Sequence, residues 1–477
     1  MIPINAIDAS WLAIDSEDTP MHVGSLQIFS IPENFSETFL RDEVERMKAG
    51  EVVSPWNLKL TKSGILGRLL SPSWSEDKVI DLNYHVRHSA LPKPGGEREL
   101  GILISRLHSN HMDFHRPLWE CHFIEGLENN RFAIYTKIHH SLVDGVNGVR
   151  LVERTLSDSA DQLNMPGPWS IGPKAKRGKP NLQAKPELRG LIRKSFDTAY
   201  EQASNTPQLV KALGKLLASS AYKHDDLVGP FDCPSSILNT RVTHARRFAT
   251  QQYSLDRLKK LATDTDCSLN DIVLFLCSSS LRAFLLERDS LPDRALTAGI
   301  PVNVRLSGDE SIGTEVSFIL ANLASEEADV MKRLNTIKRS TKAAKEHLQT
   351  LPKKVLIQYT MLMMAPYTMQ LLTGLAGRVG PAFNVTISNV PGPKHALYYS
   401  GCKLEAIYPL SMIANGGALN ITCLSYNGSL NFGYIACRET LPSMQRLAVF
   451  SGDALDELEA AVKAKQKRKK KTNGVRS

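Results

Sequence analysis

Hydrophobic and polar positions change period several times along this chain, and each change marks an element. Pro20-Met21-His22-Val23-Gly24 leads into a strand through Phe29. Asn34 followed by Glu37 has the form of a helix start, with Phe39, Leu40, Val44 and Met47 as the apolar face behind it. Leu100, Leu103, Ile104 and Leu107 repeat at helical spacing between Arg98 and Met112. Trp119, Cys121 and Phe123 then alternate with polar positions, as a strand does. From Phe132 to Ile138 a second alternation puts Phe132, Ile134 and Ile138 on one face and Tyr135 and Lys137 on the other. Helical spacing returns at Val146, Val149, Val152 and Leu156, which closes a mixed α/β unit over residues 1–156.

The pattern breaks after Ser157. Pro166, Pro168, Pro173 and Pro180 interrupt it, Lys174, Lys176, Arg177 and Lys179 form a basic run, and a helical stretch follows from Glu187 to Ala221. Residues 157–235 therefore read as a basic, partly helical linker. A second α/β unit, residues 236–463, opens its main helix with a Ser268…Asp271 capping pattern ahead of Ile272 to Leu286. Strands are expected at 298–306, 316–323 and 384–390, a hairpin at Tyr426-Asn427-Gly428, and a helix from Met444 to Val462. The Lys- and Arg-rich tail, residues 464–477, is expected to be disordered, and its charge suits an anionic lipid surface.

Composition narrows the class. A chain of 477 residues exceeds one ordinary core, and 42% hydrophobic with 22% charged residues is a globular balance. A net charge of +9 favours an anionic partner. Seven scattered cysteines without a Cys-x-x-Cys pair suit reduced thiols, and no Lys or Arg precedes Arg41, so the chain is expected to stay inside the cell. The uncharged stretch from Val355 to Gly377 is long enough to cross a bilayer but is broken by Pro366 and several polar residues. A buried helix, a tunnel wall or a surface dipping into lipid fits it better. There is no GxGxxG, Walker A or G-x-S-x-G motif, and charge alone speaks for nucleic acid.

The candidate chemistry lies in His139-His140-Ser141-Leu142-Val143-Asp144-Gly145, where the second strand turns into a helix. An imidazole at such a junction projects from a fixed backbone, which suits a general base near neutral pH. Without context a histidine pair is more often a packed or surface pair. A metal reading is weakened because zinc motifs space two histidines three or four residues apart. Gly145 supplies backbone latitude at the turn.

These residues, together with Pro20-Met21-His22-Val23-Gly24, Pro117-Leu118-Trp119, Asn270-Asp271, Pro301-Val302-Asn303-Val304-Arg305 and Asn384 to Pro393, resemble the bacterial bifunctional wax ester synthase/acyl-CoA:diacylglycerol acyltransferase family. That family lies within the superfamily of chloramphenicol acetyltransferase-like and condensation domains. The motifs keep the family's order over nearly the whole chain; Thr314, after Gly313, departs where relatives carry Asn. The resemblance implies two such α/β domains, mixed sheets flanked by helices, with an active-site tunnel between them. It implies transfer of a fatty acyl group from acyl-CoA to a long-chain alcohol or to diacylglycerol, as in storage-lipid synthesis. His140 would be the general base without a covalent acyl-enzyme, His139 its support, Asp144 a mainly structural residue, and Asn270 a donor to oxyanion or substrate. Asp271 reads as a helix N-terminal carboxylate, Gly145 as a backbone requirement, and Pro117, Leu118 and Trp119 as scaffold. No cofactor is expected, since coenzyme A arrives as the acyl-CoA substrate, and no metal. The expected location is cytoplasmic, peripherally on the inner membrane and lipid inclusions. The alternatives are a related acyltransferase with another acceptor and a non-catalytic protein of lipid-droplet surfaces.

Overall fold

The computed structural model describes residues 1–4, 6–62, 64, 67–68, 72–143, 148, 151, 153–172, 226–303, 316–351 and 353–473. The first half of the chain supplies strands β1 (Ile2–Pro3), β2 (His22–Ser30), β3 (Leu58–Leu60), β4 (Ser73–Glu76), β5 (Val86–Ala90), β6 (Trp119–Leu127) and β7 (Arg131–His139). Its helices are α1 (Ala6–Ile14), α2 (Phe39–Lys48), α3 (Leu82–His85) and α4 (Glu97–Ser109). The second half supplies β8 (Arg246–Ser254), β9 (Thr297–Asn303), β10 (Val316–Asn322), β11 (Val385–Val390), β12 (Tyr398–Tyr399), β13 (Cys402–Leu410), β14 (Leu419–Tyr426) and β15 (Ser429–Cys437). With these go α5 (Leu255–Thr265), α6 (Leu269–Leu286), α7 (Val330–Gln349), α8 (Lys353–Leu372) and α9 (Arg446–Asn473).

Two mixed six-stranded sheets result, ordered β12-β13-β2-β7-β6-β5 and β10-β9-β11-β14-β15-β8, with a small β1-β4-β3 sheet beside them. Sheet membership crosses the division drawn at residue 236: β12 and β13, from the second half, complete the first sheet by pairing β13 against β2. The two sheets meet where a Cβ on Gly433 of β15 would collide with the Pro409 carbonyl of β13, so that contact demands glycine.

In the first sheet both faces are covered. Phe29, Trp119, Phe123, Phe132 and Trp169 form one core, while Tyr135, Ala133 and the apolar face of α4 join the main core on the other side. The polar positions that alternate with the apolar ones, Glu120, His122 and Lys137, are therefore buried as well. In the second unit α6 is buried along its length, with a capping box in which Ser268 and Asp271 bond each other's backbone N–H. By length and composition α6 could cross a membrane, but 72% of that window is buried, as in a core helix. The hairpin turn has positive φ at Asn427 (41°) and Gly428 (81°), the geometry that Asn-Gly favours.

Several boundaries differ from the sequence reading. Helix α2 starts at Phe39 with Thr38 at its N-cap, because hydrogen-bonded turns at Pro32–Phe35 and Ser36–Phe39 occupy the segment ahead of it. The segment expected to be a solvated linker is anchored to the first sheet at both ends of residues 157–172, with Ser157 bridged to Tyr398 and Met165 and Trp169 buried, while 158–164 are exposed. The tail is helical as far as Asn473, since Lys, Arg, Gln and Ala sustain a helix already propagating from Arg446. The uncharged stretch forms most of α8: Val355, Leu356, Tyr359 and Met363 enter the core, and Pro366 lies inside the helix. The helix expected at 187–221 and the basic run at 174–179 lie outside the described residues, as do positions 146, 147, 149, 150 and 152 of the helix expected at 146–156.

Candidate active site

The backbone of the histidine pair is held from two sides. At the end of β7, His139 lies opposite His22 of β2, and Ile138 lies opposite Trp119 of β6. The His139 N–H donates to the Leu118 carbonyl at 3.0 Å, and the His140 N–H to the Met21 carbonyl at 2.9 Å. Pro117-Leu118-Trp119 anchors one of these acceptors. Leu118 and Trp119 are buried, the Trp119 indole N–H donates to the Trp56 carbonyl at 2.7 Å, and its ring stacks on Trp169 and His85. Gly24 lets β2 approach β7 closely: a Cβ there would sit 2.9 Å from the Tyr135 ring.

The His139 side chain is wholly enclosed. Its Nδ1 accepts from the Ser141 hydroxyl at 2.7 Å and the Ser141 N–H at 3.2 Å, which leaves the proton on Nε2, 3.4 Å from Asp15 Oδ2. Burial lowers the basicity of His139 against the opposing pull of Asp15, so this ring stays neutral. Asp15 gathers the surroundings. Its Oδ2 accepts the Met21 N–H at 2.8 Å, while Oδ1 meets His111 Nε2 at 2.5 Å and Arg68 at 3.5 Å. Burial pushes the Asp15 carboxyl up, but His111 and His139 outweigh it and bring it down to about 2. At 2.5 Å the Asp15–His111 contact is a short, direct hydrogen bond. Phe114 completes the enclosure, edge-on to His139 and beneath the Arg68 guanidinium. A cleft of about 370 Å³, lined by Leu12, Asp15, Ser16, Glu17, Arg68 and His111, opens beside this cluster.

His140 differs from its neighbour. It is only half-buried, its Nδ1 is enclosed by protein, and its ring lies 4.6 Å from that of Trp11 on α1. His139 is thus enclosed by the scaffold, while His140 is partly exposed. Beneath them on the same strand, Lys137 is fully buried, donating to the carbonyls of Leu107 (3.1 Å) and Asn110 (3.0 Å) and pairing with Glu120 at 3.2 Å. Lys137 thereby closes the C-terminus of α4, just before the segment that delivers His111 and Phe114.

The remaining expected residues divide. Asp144 and Gly145 lie outside the described residues. Asp271 bonds Ser268 within its capping box and accepts from the Thr341 hydroxyl of α7 at 2.6 Å, which ties two helices together. Asn270 is half-buried on the first turn of α6, beside Asp271. Asn384 is a buried hub whose amide bonds Thr297, Pro234 and Asn239. Asp15, Trp11, Arg68 and His111 were missed by sequence reasoning. The only local signal was an acid shortly before Pro20-Met21-His22, which nothing in the periodicity singles out.

A neutral, locked histidine beside a more open one, at the end of a central strand in two mixed sheets joined by a crossover strand, defines a chloramphenicol acetyltransferase-like acyl-transfer scaffold. The family model for the wax ester synthase/diacylglycerol acyltransferase catalytic domain matches residues 4–273, and that for the WS/DGAT C-terminal domain matches 312–459. The chain belongs to the wax ester synthase/diacylglycerol acyltransferase family. It is 39% identical to the O-acyltransferase WSD of Acinetobacter baylyi, over 99% of this chain and 100% of that one. A Mycobacterium tuberculosis protein named as a diacylglycerol O-acyltransferase is 44% identical, covering 95% of this chain and 96% of its own. Among solved structures, the wax ester synthase/diacylglycerol acyltransferase from Marinobacter aquaeolei VT8 superposes with a TM-score of 0.75 at 35% identity, covering 96% of this chain and 99% of its own. The first condensation domain of the calcium-dependent antibiotic synthetase shares the fold, with a TM-score of 0.56 at 14% identity over 96% and 95% of the two chains.

Proposed function

We propose that this protein moves a long-chain fatty acyl group from acyl-CoA to a long-chain alcohol, giving a wax ester, and to diacylglycerol, giving triacylglycerol, with His140 as general base. The observation that carries the assignment of the base is the contrast within the pair: His139 is buried and neutral against Asp15 and Ser141, whereas His140 is held by its backbone and half-buried. With Nδ1 enclosed, Nε2 is the nitrogen that takes the acceptor's hydroxyl proton as its oxygen attacks the thioester carbonyl. The tetrahedral intermediate collapses by breaking the carbon–sulfur bond, and the departing thiolate takes the proton back from the imidazolium. The thioester is already activated, so neither an acyl-enzyme nor a resident cofactor is required. Asn270, by its motif, is the donor to the oxyanion or to the substrate in this reading. An alkyl chain sheltered from water gains roughly 0.8 kcal/mol per methylene, which favours long-chain substrates.

The same reading places the protein in the cytoplasm, peripherally on the inner membrane and lipid inclusions, where its water-insoluble acceptors collect. Its net charge of +9 supports contact with anionic lipid. The test is release of free thiol from palmitoyl-CoA with hexadecanol or dipalmitoylglycerol, for the wild type, His140→Ala and Asn270→Ala. Acceptor-dependent release should vanish in His140→Ala with an unchanged melting temperature, and kcat should fall at near-constant KM in Asn270→Ala. Full activity in His140→Ala would sink the mechanism, and an unchanged kcat in Asn270→Ala would remove that residue from it.

A further inference from the structure

The charge-free stretch that forms α8 and the turn after it is covered on one side only. Val355, Leu356, Tyr359 and Met363 face the core. On the other side Met361, Leu362, Met369 and Leu372 stand out from the helix, and Leu375 and Val379 follow in the turn. Each of these six is between 36% and 51% exposed. They are six of the fourteen exposed large hydrophobic side chains among the described residues, gathered between positions 361 and 379. Exposed apolar side chains are ordinarily scattered, and a gathered set marks a contact surface. Positions 362, 369 and 372, with Ala365 between them, share one face of the helix at its three- and four-residue spacing.

The charge around this stripe indicates what covers it. Between Glu346 and Glu405 the chain has no Asp or Glu, while Lys353, Lys354, Arg378, Lys394 and Lys403 fall in the same interval. At the end carrying Leu375 and Val379, Arg378 is exposed, and the exposed Arg241 reaches the Gly374 carbonyl at 3.5 Å. An apolar stripe ending in arginines, with no carboxylate in its own stretch of chain, is complementary to an anionic lipid surface. Apolar side chains would enter the acyl boundary while guanidinium groups meet phosphates. Because the opposite side of α8 is already packed in the core, the helix would lie along the surface rather than cross it.

We propose that the outer face of α8 and the turn through Val379 dock this protein on an anionic phospholipid bilayer. The inference rests on the reading that the substrates are lipids, and it names the surface through which they would be met. The experiment is cosedimentation of the full chain with vesicles of phosphatidylcholine alone and of equal parts phosphatidylcholine and phosphatidylglycerol. The variants are Leu372→Asp/Val379→Asp and Arg241→Gln/Arg378→Gln, both at exposed positions, and a chain lacking Lys465–Ser477. Melting temperature and thiol release with a soluble short-chain acyl-CoA and alcohol serve as controls. The wild type should partition onto the phosphatidylglycerol vesicles, and the double Asp variant should bind them about tenfold more weakly or worse. The double Gln variant should lose its preference for phosphatidylglycerol, and both should keep turnover of soluble substrates. Wild-type partitioning by the Asp variant, or a loss confined to the chain without its tail, would overturn the proposal. So would an Asp variant that separates a dimer into monomers while binding vesicles normally, since the face would then join two copies of this chain. Vesicle binding by a wild type that transfers no acyl group would leave this inference standing and defeat the assigned activity.

Discussion

Replacing Asp15 with Asn tests the site where it is most specific, because one carboxylate serves both histidines. Its Oδ2 accepts the Met21 N–H at 2.8 Å, and the Met21 carbonyl in turn accepts the His140 N–H at 2.9 Å. The same carboxylate faces His139 Nε2 and bonds His111 and Arg68. Asparagine keeps the shape but removes the charge, and its amide hydrogens oppose at least one of these donors. The fall of the carboxyl from an ordinary 3.8 to about 2 corresponds to roughly 2.5 kcal/mol of folding free energy at neutral pH. The side chain is 1% exposed, so solvent screening removes little of this. Asp15→Asn should therefore lose roughly 2–3 kcal/mol in urea unfolding near neutral pH. With His140 as the proposed base, its displacement by a fraction of an ångström should also lower kcat by about 10- to 100-fold, with KM for acyl-CoA nearly unchanged. The sign of the pH dependence follows from a depressed carboxyl. Its stabilisation is complete above about pH 4 and disappears as pH falls toward 2, so the gap between wild type and variant should close over that interval. A variant with wild-type kcat and stability would refute the idea that Asp15 organises the pair, as would a gap that does not change with pH.

The other predictions concern buried charge. Burial holds His22 well below its ordinary value and brings His108 down to about 3, so both stay neutral in the folded protein through pH 5. The unfolded chain takes up these protons below about pH 6.5, so each histidine should cost roughly 2 kcal/mol of stability between there and pH 5. Asp15 and Glu120, both held at about 2, stay ionised through that range, so the loss belongs to the histidines. Urea unfolding at the two pH values checks it, and equal stabilities would contradict it. Lys137→Met leaves Glu120 buried with His122 as its remaining close partner and should cost about 3–5 kcal/mol. Adding Glu120→Leu should restore part of that, and a strictly additive double mutant would show that the pair is not coupled.

What was legible in the sequence was local. The alternation in β7, the capping box of α6 and the Asn-Gly turn each depend on residues a few positions apart, and each stands where the pattern put it. The histidine pair was legible for the same reason. Its partners were not. Asp15 lies 96 positions from His111 and 53 from Arg68, and only packing brings them together. The burial of Lys137 and Glu120 was not legible, because alternation tells the two faces of a strand apart without saying what covers each. The crossover strands β12 and β13 were equally hidden, since nothing in residues 398–410 states which sheet they will join.

That crossover explains why the site cannot be assigned to either half of the chain. Strand β13 runs antiparallel to β2 up to the pair Leu410–Gly24, two residues from His22. Immediately beyond it, the Ser411 carbonyl accepts from His108 Nε2 at 3.2 Å, while His108 Nδ1 takes the Tyr135 hydroxyl at 2.7 Å. The His108 carbonyl accepts from His22, the cross-strand neighbour of His139. From the other side Arg246, at the start of β8, donates to the Asp18 carbonyl, and its backbone N–H bonds the Ser109 hydroxyl. The second half of the chain therefore grips both the end of α4, which delivers His111, and the loop that follows Asp15. A general base works only with its ring within hydrogen-bonding distance of the proton it removes. Here that placement depends on Met21, and the segment around Met21 is bounded by Asp15 and Asp18 on one side and by His22 on the other. On the proposed role of His140 as base, the two sheets act together to place its imidazole. A change at Ser411 or Arg246 would reach His140 through these bonds without touching a substrate.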